Sequence, residues 1–493
     1  MSDLILSNLE IQSTTQDKID IGVYSLNDLF SFDNGIFKIP DYQRPYVWDV
    51  EKIEVLFKDL KDFYKNKEDQ SHYYVGTILF HKKDNTLNII DGQQRITTLL
   101  LIDYALNKNN SLLVEKEEML DLYFNSPISK QNIKQNQDFI DQNLPSFTTG
   151  MLERFRNEII FTVIVTPSAD EAFTFFDSQN NRGITLSPVD FLKSYHLKAI
   201  KGDKEDTNKQ AVIAKKWDRN NANQYLDSFF NLYLWRGRNW KGGNVYFENK
   251  DKILKEFQKG TKTKTPNESI RLYSNVKNKL ASSLEYSLKN GVQIIPQPIA
   301  LQLQVKDYPF SLRQPIQEGV GFFLFADKYY DLNKFIFKGQ HDENSDLFLM
   351  VEFYKRVLQK SNLSVYITDF FKMCILLYYD KFEQEKLYDF TLWLDYLLGS
   401  YRIKQKSIVA QTPVKIVRDK YQNLLDVIES AYLPEDVFSF IKSITNADDY
   451  KIEVTGTGVQ GTYKNAILQY YNKDDVAKLN NKKKWINEVI SKR

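Results

Sequence analysis

Ile89-Ile90-Asp91-Gly92-Gln93-Gln94-Arg95-Ile96-Thr97-Thr98-Leu99-Leu100 decides how the chain is read: an apolar run stops at a polar, glycine-bearing turn, and helical periodicity starts directly after it. Thr86 to Ile90 has the short apolar character of a buried strand, while Ile96, Leu99, Leu100 and the stretch from Asp103 to Leu106 mark one helix face. Arg95 therefore falls in the first helical turn. There the backbone N–H groups lack intrahelical acceptors and the helix dipole favours an anion, so a turn with Gly92 and an arginine suits phosphate. The same residues also fit a variant capping box, with Asp91 followed three positions on by Gln94 and Gly92 permitting the turn. One glycine is a weaker signal than a full phosphate-loop signature, so both readings stand on these residues alone.

Working outward, Tyr73 to Phe80 and Leu87 to Ile90 read as a hairpin across the polar run from His81 to Thr86. Upstream, Tyr24 to Phe30 reads as a short helix and Gly35 to Ile39 as a strand ended by Pro40, followed by an ordered loop through Gln43-Arg44-Pro45-Tyr46-Val47-Trp48. Asp49 is placed to cap a helix whose Val50, Ile53, Leu56, Phe57, Leu60 and Tyr64 form one apolar face. Downstream, residues 107–150 are polar and read as an insertion or lid without chemistry. Glu158 to Val165 is a β-branched strand, a helix is expected from about Asp170 to Ser178, and Gln179 to Gly183 has turn composition. Ser187-Pro188-Val189-Asp190 opens a helix with a serine cap, proline at the first position and an acid in the first turn. Asp190 and Lys193, one helical turn apart, read on their own as a surface ion pair.

The Asp-Gly-Gln-Gln-Arg turn, the block from Ile39 to Trp48, and the block from Phe176 to Lys193 together resemble the N-terminal domain of GmrSD-type modification-dependent restriction proteins. In the third block the pattern is carried by Phe176, Asn180, Arg182, Gly183, Leu186, Asp190 and Lys193. The resemblance spans roughly residues 20 to 200. It implies a ParB/sulfiredoxin-like fold, nucleotide binding or hydrolysis at the Asp91–Arg95 loop, and a role in defence against foreign, often modified, DNA. In such a site Arg95 and the loop amides hold phosphates, Asp91 binds a divalent cation such as Mg2+ or polarises water, and Gln93 or Gln94 orients the attacking water. Gln43, Arg44 and Gly92 complete the pocket, and Asn180, Arg182, Gly183, Asp190 and Lys193 close over the nucleotide. NTP turnover and a nucleotide-gated binding module without turnover both remain open. Fused members carry a C-terminal nuclease with a His-x-x-Pro block. No histidine follows His341 here, so cutting is expected to lie in a separate nuclease subunit or to be absent.

Composition bounds the rest. A chain of 493 residues is a prior for several domains, and 66 basic against 64 acidic residues give a net charge of +2, so any DNA contact must come from a local patch. A single cysteine, Cys374, excludes an internal disulfide framework and suits a reducing, cytoplasmic setting; no signal or membrane segment is evident. Four scattered histidines, at 72, 81, 196 and 341, supply metal chemistry poorly. The expected organisation is an α+β chain: a lead-in at 1–20, the mixed domain at 21–200, a charged linker at 200–210, and a mainly α-helical domain at 210–493 that engages DNA or a partner, with a homo-oligomer open. Helical segments are expected at 214–235, 267–290, 347–360, 366–380, 384–400 and 416–430. Within that domain Trp235, Arg236, Arg238 and Trp240 either grip phosphates and stack on bases or pack at the domain edge. The lysine run at 482–484 reads as a solvated tail, and Gly456 to Gly461 as a flexible turn after a strand at 451–454.

Overall fold

Asp84 and Asn85 reverse the chain between two strands, with Asp84 in the left-handed region that such tight turns require (φ +51°). The computed structural model describes residues 19–30, 35–40, 43–65, 72–124, 126–144, 149–168, 172, 187–200, 204–221, 225–259, 282–287, 291–296, 304–361, 364–418, 422–454, 457–474 and 476–493. Its strands β1 (Asp20–Ser25), β2 (Ile36–Lys38), β3 (Tyr73–Lys83), β4 (Thr86–Asp91), β5 (Leu120–Asp121) and β6 (Ile159–Thr166) form one mixed sheet in the order β1-β6-β3-β4-β2-β5. The hairpin β3–β4 is antiparallel, whereas β3 pairs parallel with β6 and β4 parallel with β2. The alternation of buried Leu87 and Ile89 along β4 sets which face meets the core, and the strand ends at Asp91.

The helices of this unit are α1 (Leu26–Leu29), α2 (Val50–Lys65), α3 (Gln93–Asn107), α4 (Leu112–Glu115), α5 (Pro127–Asn143), α6 (Thr149–Glu158), α7 (Pro188–Ala199) and α8 (Lys204–Asn220). Helix α3 is apolar nearly all round and is the buried axis of the unit, with Ile96, Leu99 and Leu100 packed among Phe37, Phe80 and Phe161. Helix α2 buries the expected face through Ile53, Phe57 and Leu60, and the Asp49 carboxylate accepts from the Lys52 amide at 3.2 Å. The helix expected over Tyr24 to Phe30 is a single turn, Leu26–Leu29, capped by Ser25, because Tyr24 and Ser25 end the edge strand that starts at Asp20.

Residues 107–150 are not a detached insertion. Ile140 on α5 and Phe155 on α6 belong to the same core, and the fully buried Asp103 ties the segment down by accepting from the Leu112 amide at 2.6 Å and pairing with Arg156 at 2.6 Å. The linker expected at 200–210 is likewise a correction. Lys204–Asn220 is a helix with Ala214 and Trp217 buried, because its apolar residues recur at helical spacing even though its first turns are charged. The chain divides into residues 1–194 with 202–222, and residues 195–201 with 223–493.

The second unit is mainly helical, with long buried helices at Val320–Lys338, Val365–Phe382 and Leu387–Lys404. Cys374 is buried. Within 267–290 the described part, Ser282–Ser287, is a strand paired antiparallel with Gly291–Pro296 rather than a helix; the β-branched Val292, Ile294 and Ile295 favour that state. No strand forms at 451–454, and Gly458–Tyr470 is a helix. Lys482 is not solvated: its ammonium is fully buried 2.6 Å from the Asp395 carboxylate and donates to the Tyr463 hydroxyl. His196 is buried, stacked on Phe322 at 3.7 Å, and burial pushes its pKa down to about 3, so it is neutral and structural. No described helix is long and apolar enough to cross a membrane.

Candidate functional site

The turn between β4 and α3 is built around two glycines. Gly92 is the N-cap of α3 with φ +97°, and a Cβ there would stand 3.0 Å from the Ile78 side chain, so both backbone and space call for glycine. No side chain caps α3 and its first turn holds no acid, which overturns the capping-box reading: the Asp91 carboxylate instead accepts from the Arg95 guanidinium at 2.8 Å. The amides at the helix start are thus left without a built-in side-chain acceptor. Arg95 in turn lies against Gly76 in β3, where φ is +118° and the register with β6 shifts; a Cβ at Gly76 would clash with the guanidinium. Beside it the Tyr74 hydroxyl is 3.1 Å from that of Thr162, and hydrogen bonding with Thr162 and Thr77, helped by Arg95, lowers the phenol's pKa.

Two glutamines lock the loop at 43–48 onto this turn. The Gln43 amide donates to the carbonyls of Ile89 and Ile90 at 2.8 and 2.6 Å. The Gln94 carbonyl accepts from the amides of Val47 and Trp48 at 2.8 and 3.1 Å, and its NH2 donates to the Pro45 carbonyl at 3.1 Å. Both amide atoms of Gln94 are therefore engaged with backbone. Helix α5 holds the same loop from the other side. Ser129 accepts from the Tyr46 amide at 2.8 Å, Asn132 donates to the Tyr46 carbonyl at 3.2 Å, and Asn136 donates to the Tyr46 hydroxyl at 2.9 Å. The sequence carried a signal for this: Ser126, Ser129, Asn132 and Asn136 recur at helical spacing and share a face of α5.

The third sequence block joins the other two. Ser187 caps α7, accepting from the Asp190 amide at 3.3 Å and donating to its carboxylate at 3.2 Å. Asp190 and Lys193 do not form the surface pair expected of them. Lys193 is 1 % exposed and donates to the Gln43 carbonyl at 3.0 Å and pairs with Asp218 of α8, also at 3.0 Å. Burial raises the Asp190 pKa against the pull of Arg44 and Lys193, and burial lowers that of Arg44 against the pull of Asp190 and Asp91, with Arg95 adding to the lowering. Arg44, Arg95 and Lys193 thus share one neighbourhood with Asp91, Asp190 and Asp218. Three cations face three carboxylates, and Lys215, which lines the adjoining cleft, adds a fourth cation.

Beside the turn lies a cleft of about 40 Å3 lined by Gln43, Arg44, Gln93, Ser126, Ser129 and Asp218. Gln93 is 4 % and Ser126 5 % exposed, and neither the Gln93 side-chain carbonyl nor the Ser126 hydroxyl has a hydrogen-bond partner among the described residues. Ser126 is the N-cap of α5 yet makes no capping bond. No signal in the sequence marked Tyr74 or Asp218; Gly76 was also passed over, although a glycine inside a strand is a signal of close approach.

Asn180, Arg182 and Gly183 lie outside the described residues. The four residues proposed to touch DNA are a correction: they are packed inside the second unit. Trp235 and Trp240 are buried and donate their indole N–H to the carbonyls of Lys252 and Tyr246. Arg236 forms a two-bond pair with Glu248 at 2.9 and 2.6 Å, and Arg238 pairs with Glu256 at 2.6 Å while donating to the carbonyls of Leu312 and Gln314. Helical geometry explains the outcome, since Phe230–Asn239 is helix rather than loop and turns both arginines toward acidic partners. Among the described residues no group of three or more His, Cys, Asp or Glu could hold a metal by itself.

Residues 26–197 match the model of the GmrSD restriction endonuclease N-terminal domain. Residues 209–456 match a family of unknown function, DUF7834. No curated protein matches the chain.

Proposed function

From the premise that this chain belongs to the DUF7834 family and carries a GmrSD-type N-terminal domain, we propose that it is a nucleoside triphosphate-binding and -hydrolysing subunit of a restriction-type anti-phage system. Foreign DNA is its target and a separate nuclease its effector. The observation that carries the reading is the convergence of Arg95, Arg44 and the uncapped start of α3 on one turn, held in place by backbone bonds from Gln43 and Gln94.

The mixture of charges bears on the cation. A triphosphate brought among Asp91, Asp190 and Asp218 meets three carboxylates as well as Arg44, Arg95, Lys193 and Lys215, so phosphate oxygens gain from a further positive charge where they stand next to the Asp91 carboxylate. A magnesium ion fits that need. It takes hard oxygen ligands and binds through one or two carboxylates plus substrate phosphates rather than in an all-protein cage, which is the donor set Asp91 offers. Bound there, it would neutralise charge on the transferring phosphoryl group. Arg95, freed from Asp91 by the ion, would turn to the phosphates, and Arg44 would face them from the opposite loop.

Phosphate release by the purified chain with ATP, GTP, CTP and UTP, with and without DNA, tests turnover. Calorimetric titration of Arg95→Ala tests the site. Loss of a charge-assisted contact of about 1.5 to 3 kcal/mol should weaken binding about ten- to a hundredfold. Unchanged affinity in this variant would remove the phosphate turn from consideration. Affinity without release of phosphate would instead make the chain a nucleotide-gated binding module.

A further inference from the structure

The cleft beside the turn has a function of its own. Two helices begin at it: α3 at Gln93, and the 17-residue α5 at Ser126, whose first turn also lacks an acid. Both are positive dipole ends, with α5 opening on Pro127, which has no N–H, so that its amide donors begin at Ile128; Arg44 adds a full charge. The cleft opens to solvent and its water-accessible space is about 40 Å3, near that of one or two waters. Ser126 and Gln93 then divide the work by their chemistry. A serine hydroxyl can donate to a phosphoryl oxygen, whereas the free carbonyl of Gln93 can only accept, and a phosphoryl oxygen without a proton gives it nothing. That carbonyl is suited to accept from a water, while the side-chain NH2 of Gln93 is a donor.

We propose that this cleft is the subsite for the terminal phosphoryl group of a nucleoside triphosphate, with Ser126 and the start of α5 binding the γ-phosphoryl oxygens and Gln93 holding the attacking water. The inference rests on the proposed triphosphate site and adds where the terminal phosphoryl group sits and which residues outside the turn hold it. In the step, the water oxygen forms a bond to the γ-phosphorus and the bond to the β,γ-bridging oxygen breaks. The nucleoside diphosphate leaves with that electron pair, and both water protons depart on inorganic phosphate, which gives one up to solvent at neutral pH. Gln93 is a positioning residue here, since an amide takes no proton in the step.

The test titrates the full chain with ATP, GTP, CTP and UTP and with the matching diphosphates, in wild type, Ser126→Ala, Ser126→Thr and Gln93→Leu, with melts as the fold control. Because the Ser126 hydroxyl makes no capping bond, Ser126→Ala should melt with wild type. Its triphosphate affinity should fall about tenfold with diphosphate affinity unchanged, and Ser126→Thr should restore it. Gln93→Leu should keep triphosphate affinity while phosphate release falls on the order of a hundredfold. Equal effects on tri- and diphosphate, or none, with wild-type binding intact, would overturn the subsite and leave the phosphate turn standing. Binding by wild type without phosphate release would overturn the water-holding role. Failure of wild type to bind any nucleotide would sink the underlying reading instead.

Discussion

Gly76→Ala is the perturbation that reaches the site without touching it. The alanine Cβ would occupy space taken by the Arg95 guanidinium, at a backbone position with φ +118° that L side chains rarely adopt. Two costs follow and are separable. Backbone strain should lower stability by about 1 to 3 kcal/mol, which melting curves read directly. Displacement of Arg95 from the strand surface should break its 2.8 Å pair with Asp91 and remove the arginine from the phosphates, a loss of about 1.5 to 3 kcal/mol in nucleotide binding, or ten- to a hundredfold in Kd. The decisive assay is a double-mutant cycle by calorimetry. If Gly76→Ala weakens binding by moving Arg95, it should have no further effect on affinity in an Arg95→Ala background, although the strain should still appear in the melt. Additive losses of affinity in the double variant would refute the argument, because the glycine would then be acting through some other group.

Asp190→Asn should stabilise the unliganded protein at neutral pH. Burial raises the folded-state pKa of Asp190, so its protonated form favours folding below the ordinary carboxylate range and that contribution is lost as pH rises through the raised value; the variant's gain in Tm should therefore grow from acid to neutral pH, and a gain independent of pH would contradict it. Gln94→Ala should cost about 1 to 3 kcal/mol by leaving the Val47 and Trp48 amides without their acceptor, read by denaturant titration, and should raise nucleotide Kd by loosening Arg44 rather than by removing a contact. Asp91→Ala should make nucleotide affinity insensitive to magnesium, and calorimetry across a magnesium series that still shows dependence would take Asp91 out of the cation site. Highly purified protein should not nick plasmid in a metal-dependent way; robust nicking abolished by chelator and retained through purification would overturn the need for a separate nuclease.

The strand–turn–helix at 86–107 was legible because both periodicities and the glycine between them are local properties of the chain. So were the hairpin at 73–91 and the Ser187 cap, each written in a few adjacent residues. The errors fell where a partner distant in sequence decides the outcome. Lys193 reads as a surface cation until Asp218 and the Gln43 carbonyl are brought to it, and Arg236 reads as a phosphate ligand until Glu248 closes on it. Lys482 belongs with them, its partner Asp395 lying on another helix. Gln93 and Gln94 are indistinguishable by type, and only the fold separates an amide used on both sides from one with a free carbonyl. The polar composition of 127–143 concealed a buried face, because its serine and asparagines satisfy a backbone loop rather than water.

The glutamine clamps have a consequence for ionic strength. Gln43 and Gln94 join the loop to the strand end and the helix start through neutral amides and backbone groups, so the spacing between the two arginine-bearing segments does not depend on the ion pairs around them. Raising salt screens the attraction that draws an anion in from solution but leaves these hydrogen bonds in place. Association should therefore slow as salt rises while dissociation changes little, a kinetic asymmetry expected of a rigid electropositive mouth and not of one that assembles around its ligand.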